Sequence, residues 1–162
     1  MNRFMIVVNP DKDTDSTVTN RIQSYLEAHG ATCMVRDVFH LEFSDWEALK
    51  KEQFGCVLVL GGDGTLLRMA GETEDIDIPL FGINLGTVGF LTEGEVANIE
   101  EILDRLLTDD FTIEERMMVT GTVTKADGTT YRKSALNDIV ISRAGFSRLI
   151  GLNVSVDGQV LD

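Results

Sequence analysis

Residues 56–65 read CVLVLGGDGT, in which a five-residue apolar run leads directly into a glycine-rich turn. A continuous apolar run of this length is typical of a strand that is buried on both faces of a parallel sheet. The turn is followed by Leu66-Leu67-Arg68-Met69, which has the character of a helix start. A buried strand, a tight turn and a helix in this order indicate an α/β layer, and the amides at the start of the helix favour a phosphate.

The sequence on both sides of this stretch alternates between strand and helix patterns. Further strands are predicted at residues 4–8, 31–38 and 79–83. Longer helices are predicted at residues 16–29 and 95–107. A short helix capped by Ser44 and Asp45 is also predicted, with Ser44 and Glu47 as its capping box. This alternation predicts a Rossmann-like open, mostly parallel sheet with flanking helices.

The pattern changes near residue 111. Residues 112–124 and 129–142 are rich in Thr, Val and Ile and are predicted strands, and Asp127-Gly128 between them is a strong hairpin turn. Residues 149–156 form another predicted strand. We therefore expect an α/β nucleotide- or phosphate-binding domain over residues 1–110 and the beginning of an all-β, sandwich-type domain over residues 111–162. About three strands are few for an independent sheet, so the second domain is expected to be truncated.

Charge restricts the class of partner. The chain has 27 acidic and 14 basic residues and a net charge of −13. Such a surface repels nucleic acids and anionic membranes, so we expect neither as a partner, and an anionic ligand must be held by local amides, cations or a metal ion.

No apolar run is long enough to span a bilayer, which predicts a cytoplasmic protein by default. Cys33 and Cys56 lie in apolar stretches and are expected to be buried, reduced thiols.

The glycine-rich turn has a chemical and a purely structural interpretation. Its glycines, Gly61, Gly62 and Gly64, would allow positive φ angles and a close approach of a ligand to the backbone. Asp63 is a lone carboxylate among amide donors, and it could receive a proton from an attacking hydroxyl or hold a magnesium ion. The alternative is a tight strand-to-helix turn in which Asp63 serves only as a cap.

Three segments together resemble the NAD kinase family. GGDGT at residues 61–65 is shared with NAD kinases, diacylglycerol and sphingosine kinases and, in variant form, phosphofructokinases. Residues 82–91, GINLGTVGFL, are similar to the GxNxGxxGFL stretch of NAD kinases, and no GTGND-like segment of the lipid kinases is present. Asn137-Asp138 looks like the family's Asn-Glu/Asp pair, and the resemblance extends over nearly the whole chain, including residues 115–117.

The resemblance implies an enzyme that phosphorylates the adenosine ribose 2′-hydroxyl of NAD to give NADP, with ATP or polyphosphate as donor and a divalent metal ion, Mg²⁺. It implies that Asp63 is the catalytic carboxylate, which could act as a base, orient the hydroxyl or bind magnesium. The sequence contains no CxxC and no cluster of His and Cys, so no structural metal site is predicted. Phe90 would pack on the adenine, and Asn137 and Asp138 would hold the adenosine by side-chain hydrogen bonds. The full set of implied nucleotide-binding residues is Gly61, Gly62, Gly64, Thr65, Asn84, Gly89, Phe90, Asn137 and Asp138.

Several of these roles have simpler alternatives. Phe90 could anchor its own loop in the core. Asn137 and Asp138 could form an exposed turn, although the apolar run that follows them favours the entrance of a strand. Arg68 and Arg148 are candidate phosphate contacts, but an ordinary surface position is the stronger expectation for each.

The family continues beyond the region matched here with a Gly-rich segment resembling Thr-Pro-Thr-Gly-Ser-Thr-Ala-Tyr. Residues 1–162 are therefore expected to lack part of the NAD site and to be inactive alone, whereas the full-length enzyme is expected to form a homodimer or homotetramer. Two alternative functions remain at this stage. One is a kinase that acts on a lipid or sugar through the same turn, and the other is a non-catalytic dinucleotide-binding or assembly module.

Overall fold

A computed structural model describes residues 1–86, 89–142 and 149–161 of the chain. Its main feature is a parallel sheet of five strands in the order β2-β1-β3-β4-β5. The strands are β1 (Arg3–Val8), β2 (Thr32–Asp37), β3 (Cys56–Gly61), β4 (Leu80–Asn84) and β5 (Gly94–Glu95). The first four confirm the predicted strands to within one residue at each end. β5 was not predicted, because two residues are too few to show a periodicity.

Helices cover both faces of this sheet. They are α1 (Thr17–Ala28), α2 (Phe43–Lys51), α3 (Asp63–Glu72) and α4 (Ile99–Leu107), the last preceded by a 3-10 turn at Val96–Asn98. Alternate residues of β3 pack into two separate cores, with Leu58 against α1 and α4 and Val59 against α2 and α3. Every residue of β3 is buried. The predicted open parallel sheet with flanking helices is therefore confirmed.

The start of α2 differs from the prediction. The capping box is formed by Glu42 and Asp45, not by Ser44 and Glu47, and the helix begins at Phe43. Asp45 Oδ2 accepts the Glu42 amide at 2.9 Å, while its other oxygen pairs with Arg36 of β2. This ion pair fixes the buried Asp45 at the third position of the helix. Because Arg36 belongs to a different element, β2, the local sequence of the helix could not predict the pairing.

The second half of the chain contains two small antiparallel hairpins. β6 (Val119–Thr124) pairs with β7 (Thr130–Ala135), and β8 (Val154–Val156) pairs with β9 (Gln159–Leu161). The turn at Asp127-Gly128 is confirmed, with Gly128 at φ +84°. The strands predicted at residues 112–124, 129–142 and 149–156 were too long, because residues 111–118, 136–142 and 149–153 are not in strands.

The first hairpin is attached to the α/β half through α3. Ser134 of β7 is buried, and its hydroxyl lies 2.8 Å from that of Thr120. The Ser134 carbonyl oxygen lies 3.5 Å from the position that a Cβ on Gly71 of α3 would occupy.

Both cysteines are free thiols, and burial raises the pKa of Cys56 to about 12, which keeps it protonated. None of the described helices is long and apolar enough to cross a membrane.

Candidate functional site

The strand order creates a crevice at the carboxyl ends of β1 and β3. β1 lies next to β3 in the sheet. From β1 the chain crosses to β2 on one side, and from β3 it crosses to β4 on the other side, so the strand order reverses between β1 and β3. Ligands of open α/β sheets bind at such a switch point. A cleft of about 280 Å³ opens there, and its lining includes Asn9, Lys12, Phe39, residues 62–65 and Arg68.

The glycines of the turn provide space rather than unusual backbone angles. None of Gly61, Gly62 and Gly64 has a positive φ, so the expectation of positive φ angles at these glycines is wrong. The close approach of a ligand to the backbone remains a prediction. A Cβ on Gly61 would lie 2.3 Å from Thr65 Oγ1, so Gly61 is required by the buried Thr65 side chain. A Cβ on Gly64 would meet no atom within 4 Å, so packing within the described protein does not require this glycine.

The first turn of α3 leaves backbone donors without protein acceptors. Gly62 caps the helix with its carbonyl oxygen, which accepts the amides of Thr65 at 2.9 Å and Leu66 at 3.2 Å. No side chain caps the helix. Within the described ranges, no oxygen accepts the amides of Asp63 and Gly64. Two adjacent donors at the positive end of a helix dipole can bind a phosphate oxygen.

The Asp63 carboxylate connects this turn to residues 89–92. Its Oδ2 accepts the Phe90 amide at 2.8 Å, and its Oδ1 accepts the amides of Leu91 at 3.1 Å and Thr92 at 3.2 Å. The Thr92 hydroxyl adds a contact of 3.3 Å to Oδ1. These hydrogen bonds, the Phe90 amide foremost, lower the pKa of Asp63 below its ordinary value of 3.8. Asp63 is therefore ionised at neutral pH.

Residues 89–92 are shaped around that carboxylate. A Cβ on Gly89 would lie 2.1 Å from Asp63 Oδ1, so only glycine allows this approach. The next side chain, Phe90, is fully exposed although its amide is bound to Asp63. The alternative that Phe90 anchors its loop in the core is therefore wrong. Its ring is free to contact a ligand beside Asp63.

Asn84 ends β4 directly opposite Gly61 of β3. Its Oδ1 accepts the Gly86 amide at 2.9 Å, whereas its buried Nδ2 has no hydrogen-bond partner among the residues that the structure describes. Asn84 lines a second cleft of about 350 Å³ together with Lys12 and Glu95. A buried donor without an acceptor is uncommon in folded proteins, so this amide indicates space for a further polar group.

Asn137 and Asp138 are not where the sequence predicted them. They occupy an exposed bend that follows β7, and no strand follows at residues 138–142. In the described part of the chain, no hydrogen bond connects either residue to Asp63. Their implied role in holding adenosine remains a prediction, whereas Arg148 lies outside the described residues.

Comparisons with known proteins assign the fold and motifs to a family. A family model for the ATP-NAD kinase N-terminal domain matches residues 4–111. The chain belongs to the NAD kinase family. Similar relatives include the NAD kinase of Lachnoclostridium phytofermentans, 40% identical over 99% of this chain, and that of Agathobacter rectalis, 39% identical over 100% of it. The chain spans 58% and 57% of the lengths of these two relatives, respectively.

A solved structure supports the same fold. Yeast NADH kinase, crystallised in complex with NADH, matches with a TM-score of 0.63 over 85% of this chain and 47% of its own. The sequence identity in this match is 14%, so it is the backbone arrangement that is shared.

Sequence patterns did not point to two cleft residues of this NAD kinase family member. Lys12 follows the end of β1, and Phe39 follows the end of β2. The Arg68 guanidinium lies 5.7 Å from the Phe39 ring centre and also lines the cleft. The rule that ligands bind where strand order reverses would have pointed to the loop after β1, but it requires the order of the strands, which the sequence did not provide.

Substitution of Gly61 and of Gly64 by alanine is expected to change the stability of the fold differently. Gly61→Ala should destabilise the fold by about 1–3 kcal/mol, because the new methyl group would overlap the buried Thr65 side chain. Gly64→Ala is the matched control and should leave stability unchanged or slightly improved, since no described atom beyond its own helix turn lies within 4 Å of the new Cβ. Urea unfolding of both variants measures the difference. Equal stabilities would show that Thr65 moves aside without cost.

Proposed function

We propose that the protein carrying this chain transfers the terminal phosphoryl group of ATP to the adenosine ribose 2′-hydroxyl of NAD, giving NADP. The observation that carries this proposal is the ionised Asp63, fixed beside two unused amides in a chain of the NAD kinase family. Phosphoryl transfer requires positioning and neutralisation of charge more than covalent chemistry from the protein. A fixed carboxylate and helix-start donors supply these two requirements.

The donor phosphates would lie against residues 62–65. The amides of Asp63 and Gly64 would bind their oxygens, and the absent Cβ of Gly64 would let them reach the backbone. Mg²⁺ would accompany the donor and neutralise part of its charge. The described residues contain no group of three His, Cys, Asp or Glu side chains suited to a metal ion, so phosphate oxygens and water would provide most of its ligands.

Asp63 would orient the attacking hydroxyl rather than act mainly as a general base. A carboxylate whose pKa lies below its ordinary value is a weak base at neutral pH. Among the described residues, its Oδ1 already accepts three hydrogen bonds, but Oδ2 accepts only the Phe90 amide. Oδ2 therefore has a lone pair left for the 2′-hydroxyl, since each carboxylate oxygen can accept about two.

The adenosine would be held next to this carboxylate. The exposed Phe90 ring provides an apolar face for adenine, and Gly89 keeps it close to Asp63. The buried Nδ2 of Asn84 offers an unused donor on the neighbouring cleft. The polar side chains of Asn137 and Asp138 would complete the adenosine contacts after moving towards the site with the bound nucleotide.

We further infer that the enzyme is cytoplasmic and forms a homo-oligomer. The exposed apolar side chains of the β8–β9 hairpin, among them Val154, Val156 and Val160, support association through the second half of the chain.

A non-catalytic dinucleotide-binding module remains the alternative function. A lipid-type kinase has less support, because the family model and the relatives are NAD kinases.

The experiment that tests this proposal uses a chimera. Residues 1–162 are fused to the carboxyl-terminal segment of the L. phytofermentans relative that lies beyond the match. With ATP and Mg²⁺, and with NAD and diacylglycerol both present, the chimera should form NADP and no phosphatidic acid. Binding of NAD without formation of NADP would instead support the non-catalytic module, provided that the intact relative is active in the same assay.

A further inference from the structure

Lys12 lies on a loop whose two ends are firmly anchored. On one side, the Asn9 amide donates to the Leu60 carbonyl of β3 at 2.8 Å, and the Asn9 carbonyl accepts the Lys12 amide at 3.0 Å. On the other side, the buried Asp13 carboxylate accepts the amides of Val18 at 3.1 Å and Thr19 at 2.8 Å. The backbone of Lys12 is therefore fixed next to β3, although its side chain is exposed.

The Lys12 ammonium lies over the glycine-rich turn. Its Nζ is 3.0 Å from the position that a Cβ on Gly62 would occupy and 3.6 Å from the corresponding position on Gly86. Lys12 lines both clefts, the one that contains Asp63 and the one that contains Asn84. The cation thus lies close to the carboxyl ends of β3 and β4, and it lines the same cleft as Asp63 and Gly64.

No carboxylate neutralises this ammonium in the described part of the chain. Lys12 forms no ion pair within 4.0 Å there, whereas Arg36 pairs with Asp45 and Lys51 pairs with Glu47. Asp13 is the next residue in the chain and Asp63 lines the same cleft, but both have other partners. Asp13 accepts amides at the start of α1, and Asp63 accepts those of residues 90–92. Asp11 precedes Lys12 in the chain, and Glu95 shares the second cleft, but neither pairs with it.

Lys50 and Lys125 also form no ion pair among the described residues, but neither lines either of the two clefts, whereas Lys12 lines both. Any surface acid that could reach the ammonium would gain energy by pairing with it, so an anchored lysine without such a partner is available to an anion. The second cleft that Lys12 lines also contains Asn84, whose buried Nδ2 has no acceptor among the described residues. Lys12 also lines the first cleft, where the amides of Asp63 and Gly64 have no acceptors among the described residues. A cation beside two such amides can bind an anion there.

We propose that Lys12 Nζ binds the phosphates of the phosphoryl donor and is the cation that holds a linear oligophosphate against residues 62–65. This donor chemistry is common to ATP and inorganic polyphosphate. Arg68, which also lines the first cleft, would add a second positive charge. The identity of the acceptor rests on the proposed function, but the binding of oligophosphate by Lys12 does not.

The test is a titration of residues 1–162 with sodium tripolyphosphate and, separately, with ATP, followed by the NMR shifts of the Gly62 and Gly64 amides. We expect both ligands to shift these amides. Lys12→Gln should weaken the binding of each ligand at least roughly tenfold, as expected for the loss of a hydrogen bond between charged groups. Lys12→Arg should keep most of the affinity. Lys125→Gln, which removes the same charge from the exposed β6–β7 turn, should have no effect.

The proposal is overturned if tripolyphosphate leaves the Gly62 and Gly64 amides unshifted, or if Lys12→Gln binds it as tightly as the unmodified chain. It is also overturned if Lys12→Gln and Lys125→Gln weaken binding equally, because binding would then follow overall charge. The outcome of the chimera assay does not depend on the outcome of this titration. Oligophosphate binding through Lys12 without NADP formation would contradict the proposed acceptor and leave the donor site in place.

Discussion

Asp63→Asn will lower the rate of NADP formation by the chimera roughly a hundredfold or more, the scale of a lost proton-transfer or hydroxyl-orienting group. The substitution keeps the size of the side chain and removes its charge, and it replaces one acceptor oxygen by an amide. We expect a smaller change in the KM for NAD, because Phe90 and the glycine backbone remain. Steady-state kinetics with NAD varied at saturating ATP measure both parameters.

A control separates chemistry from loop structure. Thr92→Val removes only the weakest of the four hydrogen bonds to Asp63 and should keep near-normal turnover. Hydrogen exchange of the Phe90 and Leu91 amides reports whether residues 89–92 have detached. If Asp63→Asn retains near-normal turnover, the role of Asp63 is only structural: it connects the glycine-rich turn to residues 89–92.

The same contacts predict a pH dependence. The pKa of Asp63 is lower in the folded protein than its ordinary value of 3.8. Its contribution to stability is therefore complete above that ordinary value and is lost as pH falls through the folded value. Exchange protection of the Phe90 amide, relative to a core amide such as that of Leu58, should fall only in this acidic range.

Residues 1–162 alone will form no measurable NADP under conditions in which the chimera is active. Phe90, Asn137 and Asp138 are exposed, so an adenosine bound to them would remain in contact with water. Water weakens each electrostatic contact relative to a closed cleft. We expect at most weak binding of adenosine nucleotides by this chain.

The isolated carboxyl-terminal segment of the relative is the matched control, and it should also be inactive. Mixing the two separate segments distinguishes a need for contact from a need for covalent linkage. Turnover by residues 1–162 comparable to that of the chimera would show that the whole site lies within this chain, and that the expectation of an incomplete NAD site is wrong.

The α/β half could be predicted closely because its strands are buried on both faces. A run such as that of β3 is apolar at every position, so its limits are visible in the sequence. The cap of α2 could not be predicted, because Arg36, from another strand, determines the position of Asp45. Local patterns identified the helix but could not choose among the several polar residues at its start.

The second half shows the opposite behaviour. Residues 139–141 form a β-branched apolar run typical of a strand, yet they are not in one. Ile139, Val140 and Ile141 are exposed, so neither burial nor a neighbouring strand stabilises an extended ladder there. The hairpin turn at Asp127-Gly128 was predictable because its requirement for positive φ at glycine is local.

The site was predictable where one segment contains the chemistry. The turn at residues 61–65 directed attention to Asp63, and its α/β context was correct. The partners of Asp63 were not predictable, because the amides that it binds lie 27 to 29 residues further along the chain. Lys12 was missed for the same reason, since only the parallel pairing of β1 and β3 brings its loop to the turn.

The position of the transferred phosphoryl group tests the proposed activity most directly. The chimera is incubated with γ-³²P-labelled ATP, Mg²⁺ and NAD, and the purified dinucleotide is cleaved at its pyrophosphate bond. We expect the label to be recovered in adenosine 2′,5′-bisphosphate and Asp63→Asn to abolish most of it. Label confined to inorganic phosphate or to any other position of the dinucleotide would contradict the proposed activity.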